Sequence, residues 1–110
     1  MSGAGVAINQ IRLSGRLIER GVLRYTPAGI PAIDFRIGHE SEQVEAGVKR
    51  KVECDMTCVA LGSEATRMAQ WNPGGGISVT GFLAAKSLRN RSVILHVNTI
   101  EFLEGNENGI

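Results

Sequence analysis

The residues of this 110-residue chain best suited to chemistry are basic side chains gathered at three places: Arg20 and Arg24 beside Tyr25, the run Lys49-Arg50-Lys51, and the group Lys86, Arg89 and Arg91. Cations so grouped attract phosphate oxygens, and an interleaved ring can stack on a base, so the chemistry they offer is polyanion binding. Bond-breaking chemistry finds no such grouping. His39 and His96 belong to no recognisable nucleophile–base pattern and read as satisfied or exposed strand histidines. Cys54 and Cys58 share one face of an expected strand about 13 Å apart, too far for a common metal, and read as buried core thiols. Gly74-Gly75-Gly76 lacks the following Lys-Ser or Lys-Thr of a phosphate cradle and reads as a turn. Trp71 just before it offers a stacking ring or a plug for the end of a barrel, and the plug is the reading we adopt. Glu101, Glu104 and Glu107 read as a solvated acidic end. The expectation is a binding protein, not an enzyme, with no cofactor and no metal.

The elements that must position these residues are strands, because hydropathy alternates with period two along most of the chain. Ile11, Leu13 and Leu17 mark the first strand, with Gly15 where a barrel strand bends. The stretch from Glu19 to Pro31, with Thr26-Pro27-Ala28-Gly29-Ile30-Pro31, reads as a loop. Ile33, Phe35 and Ile37 mark the second strand. The segment from Gly38 to Arg50 has no apolar stripe and reads as a long mobile loop. Val52, Cys54, Met56 and Cys58 form the inward row of the third strand, with Lys51, Glu53, Asp55 and Thr57 outward. After Gly62-Ser63 the pattern predicts a two-turn helix over Glu64 to Trp71, stopped by Asn72-Pro73. Ile77, Val79 and Gly81 to Ala85 mark the fourth strand, Lys86 to Arg91 a basic loop, and Val93 to Ile100 the fifth.

Five strands with one short helix between the third and fourth is the element order of an all-β OB-fold, a five-stranded Greek-key barrel. Periodicity alone also fits an SH3-like barrel or a small sandwich; the place of the helix selects the OB-fold. Its ligand face is made by the second and third strands with the first and last loops, and the three basic groups are expected to converge there. Glu53 and Asp55 beside Lys51 oppose that field.

Composition narrows the classes further. Hydrophobic residues at 43% and charged residues at 21% describe one globular domain, placed at residues 9–103 between a flexible segment 1–8 and a tail 104–110. A net charge of +1 excludes a uniformly basic nucleic-acid coat, so any such site must be local. No bilayer-length apolar run and no secretory pattern is visible in the sequence, and two cysteines are too few for a disulfide scaffold. The expectation is a cytoplasmic protein away from membranes. Gly3 to Leu13 and the last strand are expected to leave free edges for a second copy.

Several of these residues also carry a family resemblance. Leu13-Ser14-Gly15, Pro27-Ala28-Gly29-Ile30-Pro31 followed by Phe35 and His39, Glu45-Ala46-Gly47 with Cys54 and Met56, Gly81-Phe82, Leu95-His96 and Ile100-Glu101 stand in the order and spacing of a known pattern. Over about residues 9 to 103 the chain resembles the bacterial primosomal replication protein N (PriB) family, relatives of single-stranded DNA-binding protein. The resemblance implies a homodimer of OB-folds that binds single-stranded DNA and assists replication restart by bridging the primosomal helicase and a helicase-loading factor. By position it assigns DNA contact to Arg24, Lys51, Lys86, Arg89 and Arg91; Tyr25 stands where the family can carry a basic residue and offers a stacking ring instead, and Lys49 and Arg50 complete the second basic group. Val48 and Glu53 stand where the family can carry aromatic side chains, a departure expected to weaken DNA binding. The competing expectation is an adaptor for the helicase with little DNA binding of its own.

Overall fold

A computed structural model describes residues 6–103. The flexible segment and tail expected at the two ends lie outside this range, except for residues 6–8, which are exposed and without regular structure. The elements are β1 (Ile11–Arg20), β2 (Arg24–Tyr25), β3 (Pro31–Glu45), β4 (Val48–Leu61), α1 (Ser63–Met68), β5 (Gly76–Ala85) and β6 (Val93–Leu103). Their order in the sheet is β1-β5-β6-β4-β3-β2, and an additional β1–β3 pairing closes five long strands into a barrel. This is the expected OB-fold with its short helix in the expected place.

Closure depends on β1 serving two neighbours. Its first half pairs with β5 from Ile11↔Gly81 to Arg16↔Gly76, and its second half with β3 from Arg16↔Gly38 to Arg20↔Phe35. At the changeover the two backbones nearly touch: a Cβ on Gly15 would lie 2.2 Å from the Gly38 carbonyl oxygen. Only glycine permits that approach. Gly81 does the same for β5 against β6, beside the register shift at Thr80/Gly81. Inside, Leu17, Ile33, Phe35, Ile37, Cys58, Ala60, Ile77, Val79, Leu95, Val97 and Ile100 form the core, joined by Ala65 and Met68 of α1. A six-residue helix has too few hydrogen bonds to stand alone, so burial of those two side chains holds it against the barrel end.

Several expectations are corrected. The segment from Gly38 to Arg50 is no loop: β3 and β4 continue as a two-stranded arm with register Gly38↔Asp55 to Glu45↔Val48, turned by Ala46 (φ 52) and Gly47 (φ 80). Two successive positive φ values make a type I′ turn, which suits the strand twist. The arm leaves the barrel with both faces largely exposed, so neither face needs apolar residues and the alternation that reveals a strand is missing. The same cause exposes Cys54, whereas Cys58 inside the barrel is buried and Val52 and Met56 are half-buried. Within the expected first loop, β1 runs on to Arg20, and Arg24–Tyr25 form a short strand on Ala32 and Pro31. The helix ends at Met68, before Trp71. The expected free edges are partly taken, because β5 covers Ile11–Arg16 on one side and β6 is flanked by β5 and, at Leu95–Val97, by β4. Asn9 is already held, its side-chain amide exchanging two hydrogen bonds with the Leu83 backbone at 2.8 and 2.9 Å.

Two outcomes are expected. Gly15→Ala forces the β1–β3 crossing apart and lowers unfolding stability by about 1–3 kcal/mol, the usual range for overpacking, in a denaturant titration. One thiol per chain reacts rapidly with a disulfide reagent near pH 8: Cys54 is exposed, whereas burial pushes the Cys58 thiol up to about 12 and keeps it protonated.

Candidate nucleic-acid interface

In the antiparallel β3–β4 ribbon, directly opposed residues point to the same face. The outward face is thus built from Asp34/Val59, Arg36/Thr57, Gly38/Asp55, Glu40/Glu53, Glu42/Lys51 and Val44/Lys49. Glu19, opposite Arg36, joins it from β1. The carboxylates outnumber the cations here, and Glu40 stands directly opposite Glu53 with no cation between them in the register. Arg36 lies 3.8 Å from Glu19 and 3.5 Å from Asp55, and its Nε is buried without a hydrogen bond.

The cations expected to meet phosphate on this face are already engaged. Arg24 Nη2 is 3.1 Å from Asp34. Lys49 is 4.0 Å from Glu42, Arg50 2.7 Å from Glu45 and Lys51 3.5 Å from Glu53. Each pair is exposed and worth little to stability, but each cancels much of the local positive potential that a polyanion would sense. Lys51 and Glu53 are neighbours on one face of β4, whereas the other three pairings depend on cross-strand register and turn geometry, which the amino-acid order does not display.

The three basic groups do not all converge. Arg24 is level with Ala32 and Lys51 with Glu42, ten residues apart on β3, or roughly 33 Å along the strand. Tyr25, 65% exposed, lies with Arg24 at the barrel end where α1 packs. The parallel register Cys58↔Leu95 sends the loop before β6 toward the opposite end, the one the arm leaves from. Lys86, Arg89 and Arg91 of this loop and Lys49-Arg50-Lys51 of the arm thus share one end of the barrel. The loop is ordered by four hydrogen bonds: Lys86 N–H to the Ser92 carbonyl, Ser87 N–H to the Asn90 carbonyl, Asn90 N–H to Ser87 Oγ and Ser92 N–H to Asn90 Oδ1. Lys86, Arg89 and Arg91 are exposed, with no carboxylate partner among the described residues, and Leu88 at the tip is 91% exposed.

The remaining sequence candidates are placed as follows. Val48 and Glu53 fall on opposite faces of the arm, so side chains there address different surfaces. His39 ties the arm to the barrel: Nδ1 is 2.7 Å from the Ser14 carbonyl, which requires Nδ1–H to donate, leaving Nε2 to accept from the Ser41 hydroxyl at 2.8 Å. It is the satisfied strand histidine expected. His96 stacks on Phe82 with ring centroids 5.1 Å apart. Trp71 is not a buried plug. It stacks on Phe102 at 4.1 Å with an interplanar angle of 5°, and 37% of it remains exposed. Arg12 and Arg16, exposed on β1 and without a carboxylate partner among the described residues, are not singled out by sequence, because each stands alone in the chain rather than in a basic run.

Comparisons with known proteins agree with this architecture. A family described as another single-strand binding protein family matches residues 9–99. Replication restart protein PriB of Bordetella pertussis is 41% identical over 98 residues, covering 89% of this chain and 92% of the relative. The solved structure of PriB from Ralstonia solanacearum superposes with a TM-score of 0.80 at 32% identity, over 87% of this chain and 98% of that one. The wild-type single-stranded DNA binding protein from Thermus aquaticus gives a TM-score of 0.73 at 28% identity, over 89% of this chain and 51% of that one.

Proposed function

This chain belongs to the single-strand binding protein family, within the group of replication restart protein PriB, and from that premise we propose that it binds single-stranded DNA without sequence readout as a non-enzymatic component of replication restart. The observation that carries the reading is the ordered loop from Lys86 to Ser92, which presents Lys86, Arg89 and Arg91 to solvent with no carboxylate partner among the described residues. Cations free of carboxylates hold mobile counterions, and a phosphate backbone that replaces those ions gains the entropy of their release. Arg24, Lys49, Arg50 and Lys51 contribute less, since each must first loosen its carboxylate. Base discrimination is not expected, because backbone contacts of this kind read charge and not sequence.

Within this reading the protein acts in the cytoplasm as a homodimer, bridging DNA, the primosomal helicase and a helicase-loading factor. One observation favours a second reading, an adaptor whose OB face meets a protein instead of DNA. The outward face of β3 and β4 sets Glu40 against Glu53 and adds Asp55, and such a surface repels phosphate and suits a basic protein segment.

Fluorescence anisotropy of a labelled oligonucleotide, with duplex as control, separates the readings. Preferential binding of the single strand, weakening steeply with salt, is expected. Changing Lys86 and Arg89 together to Ala lowers the slope of log K against log salt by about 1.4, from about 0.7 per lost phosphate contact on a single strand. An unchanged slope removes both residues from the site, and absence of binding at low salt leaves the adaptor reading in place.

A further inference from the structure

Sorting the twelve Lys and Arg residues by partner divides the surface. Arg24, Arg36, Lys49, Arg50, Lys51 and Arg67 each lie within 4.0 Å of a carboxylate, and all but Arg67 belong to β2, β3 and β4. Arg12, Arg16, Arg20, Lys86, Arg89 and Arg91 have no carboxylate partner among the described residues. These unpaired cations follow β1 and the loop before β6; that loop borders the usual OB ligand face, and Arg12 and Arg16 continue the basic surface from it along β1.

The register turns them into a line. From the basic loop, β5 runs back with Phe82, Thr80, Ser78 and Gly76 on its outer face; Arg12 stands opposite Thr80 and Arg16 opposite Gly76. Phe82 is 39% exposed and backed by His96. Two carboxylates border this line among the described residues: Glu101 across from Ser78, and Glu19, which faces Arg36, beside Arg20. The line ends where β1 ends. There Arg20 Nε donates to the Trp71 carbonyl at 2.8 Å. The Trp71 N–H donates to the Met68 carbonyl at 3.0 Å, and Phe102 lies parallel beneath the indole. Trp71 forms a wall of two clefts of about 530 and 420 Å³, the first shared with Ser63, Thr66, Arg67 and Gln70, the second with Asn72 to Gly76 and Leu103.

Large apolar area left in water gains nothing for folding, and a ring stacked on Phe102, on a main chain held by two hydrogen bonds, loses little freedom when a ligand covers it. We propose that Trp71 is a base-stacking platform, and that a single strand reaches it from the basic loop along the β1–β5 side, its phosphates on Arg12, Arg16 and Arg20. This rests on the single-strand reading above and adds to it a route and an aromatic contact. Unpaired cations along the approach select a polyanion over a neutral peptide, and a flat ring accepts any base. The ten residues of β5 span roughly 33 Å, a length compatible with the site sizes of about 4–16 nucleotides known for OB-folds.

Trp71 is the only tryptophan of the chain, so intrinsic fluorescence reports on it alone. The full chain is titrated with oligothymidylate while anisotropy of a labelled copy is followed in parallel. Quenching of Trp71 that saturates with the anisotropy change is expected, together with protection of the indole from acrylamide. Trp71→Leu weakens binding between about 5-fold and about 150-fold at every salt concentration with the slope unchanged, as loss of one stacked base requires. Arg12→Ala with Arg16→Ala flattens the slope instead. Binding by anisotropy without any change in Trp71 fluorescence or acrylamide access overturns the proposal and leaves the indole to a protein partner. The wild-type signal decides this whether or not the leucine variant folds. No binding by anisotropy overturns the single-strand reading, and this site with it.

Discussion

The structure depends on one close approach, the backbone of β1 passing Gly15 against the Gly38 carbonyl as it leaves β5 and joins β3. A barrel of five strands must share one strand between two partners, and the changeover leaves no room for a side chain. Once it is made, Leu13 and Leu17 of β1 point inward, while Arg12 and Arg16 are held on the outer surface. The extra residue at Ile18 sets its side chain over Gly38, where a Cβ would come within 3.1 Å of it. From Gly38 onward β3 has no neighbour but β4, and the two continue as an arm. His39 closes the gap at its root by capping the Ser14 carbonyl that the departing strand leaves behind.

That geometry sorts the charges. The arm and the β3–β4 face carry opposite charges in register, and their cations are spent on one another. On β1 and in the loop before β6 the cations have no carboxylate within 4.0 Å among the described residues, although Arg16 shares a cleft with Glu40, Glu53 and Asp55. A net charge of +1 conceals this division, because it averages an acidic face and a basic line. Electrostatic attraction of a polyanion follows the local field and not the sum, so a nearly neutral protein can still have a phosphate-binding side. The proposed path of a single strand therefore runs over β1, β5 and the last loop, and the acidic face is the surface that suits a basic partner.

Much of the fold was legible because barrel strands alternate: Ile33, Phe35 and Ile37 enter the core, as do Cys58, Val79, Leu95 and Val97. The arm was not legible, since a ribbon exposed on both faces has no hydropathy pattern and Glu42, Gln43 and Lys51 suit a strand there as well as a loop. Cys54 was misplaced for the same reason, four residues before the buried Cys58 yet outside the barrel. Of the site, the loop bearing Lys86, Arg89 and Arg91 was readable as a basic run. The neutralisation of Lys51 by Glu53, two residues along the same strand, was readable too, whereas that of Arg24 and Arg50 was not, because those pairs form across strands. Arg12 and Arg16 were passed over because they are neighbours only of β5 residues distant in sequence. Trp71 was read as core by its type, and its stack on Phe102 rests on a contact 31 positions away.

The central claim is that the single strand follows the unpaired cations and avoids the β3–β4 face. Amide chemical-shift mapping of the isotopically labelled chain with an oligothymidylate tests it most directly. Shifts concentrated at 12–16, at 86–91 and at the Trp71 indole, with residues 40–53 nearly unmoved, are the predicted result. Shifts concentrated on Glu40, Glu53 and their neighbours, with β1 and the last loop unmoved, would contradict it.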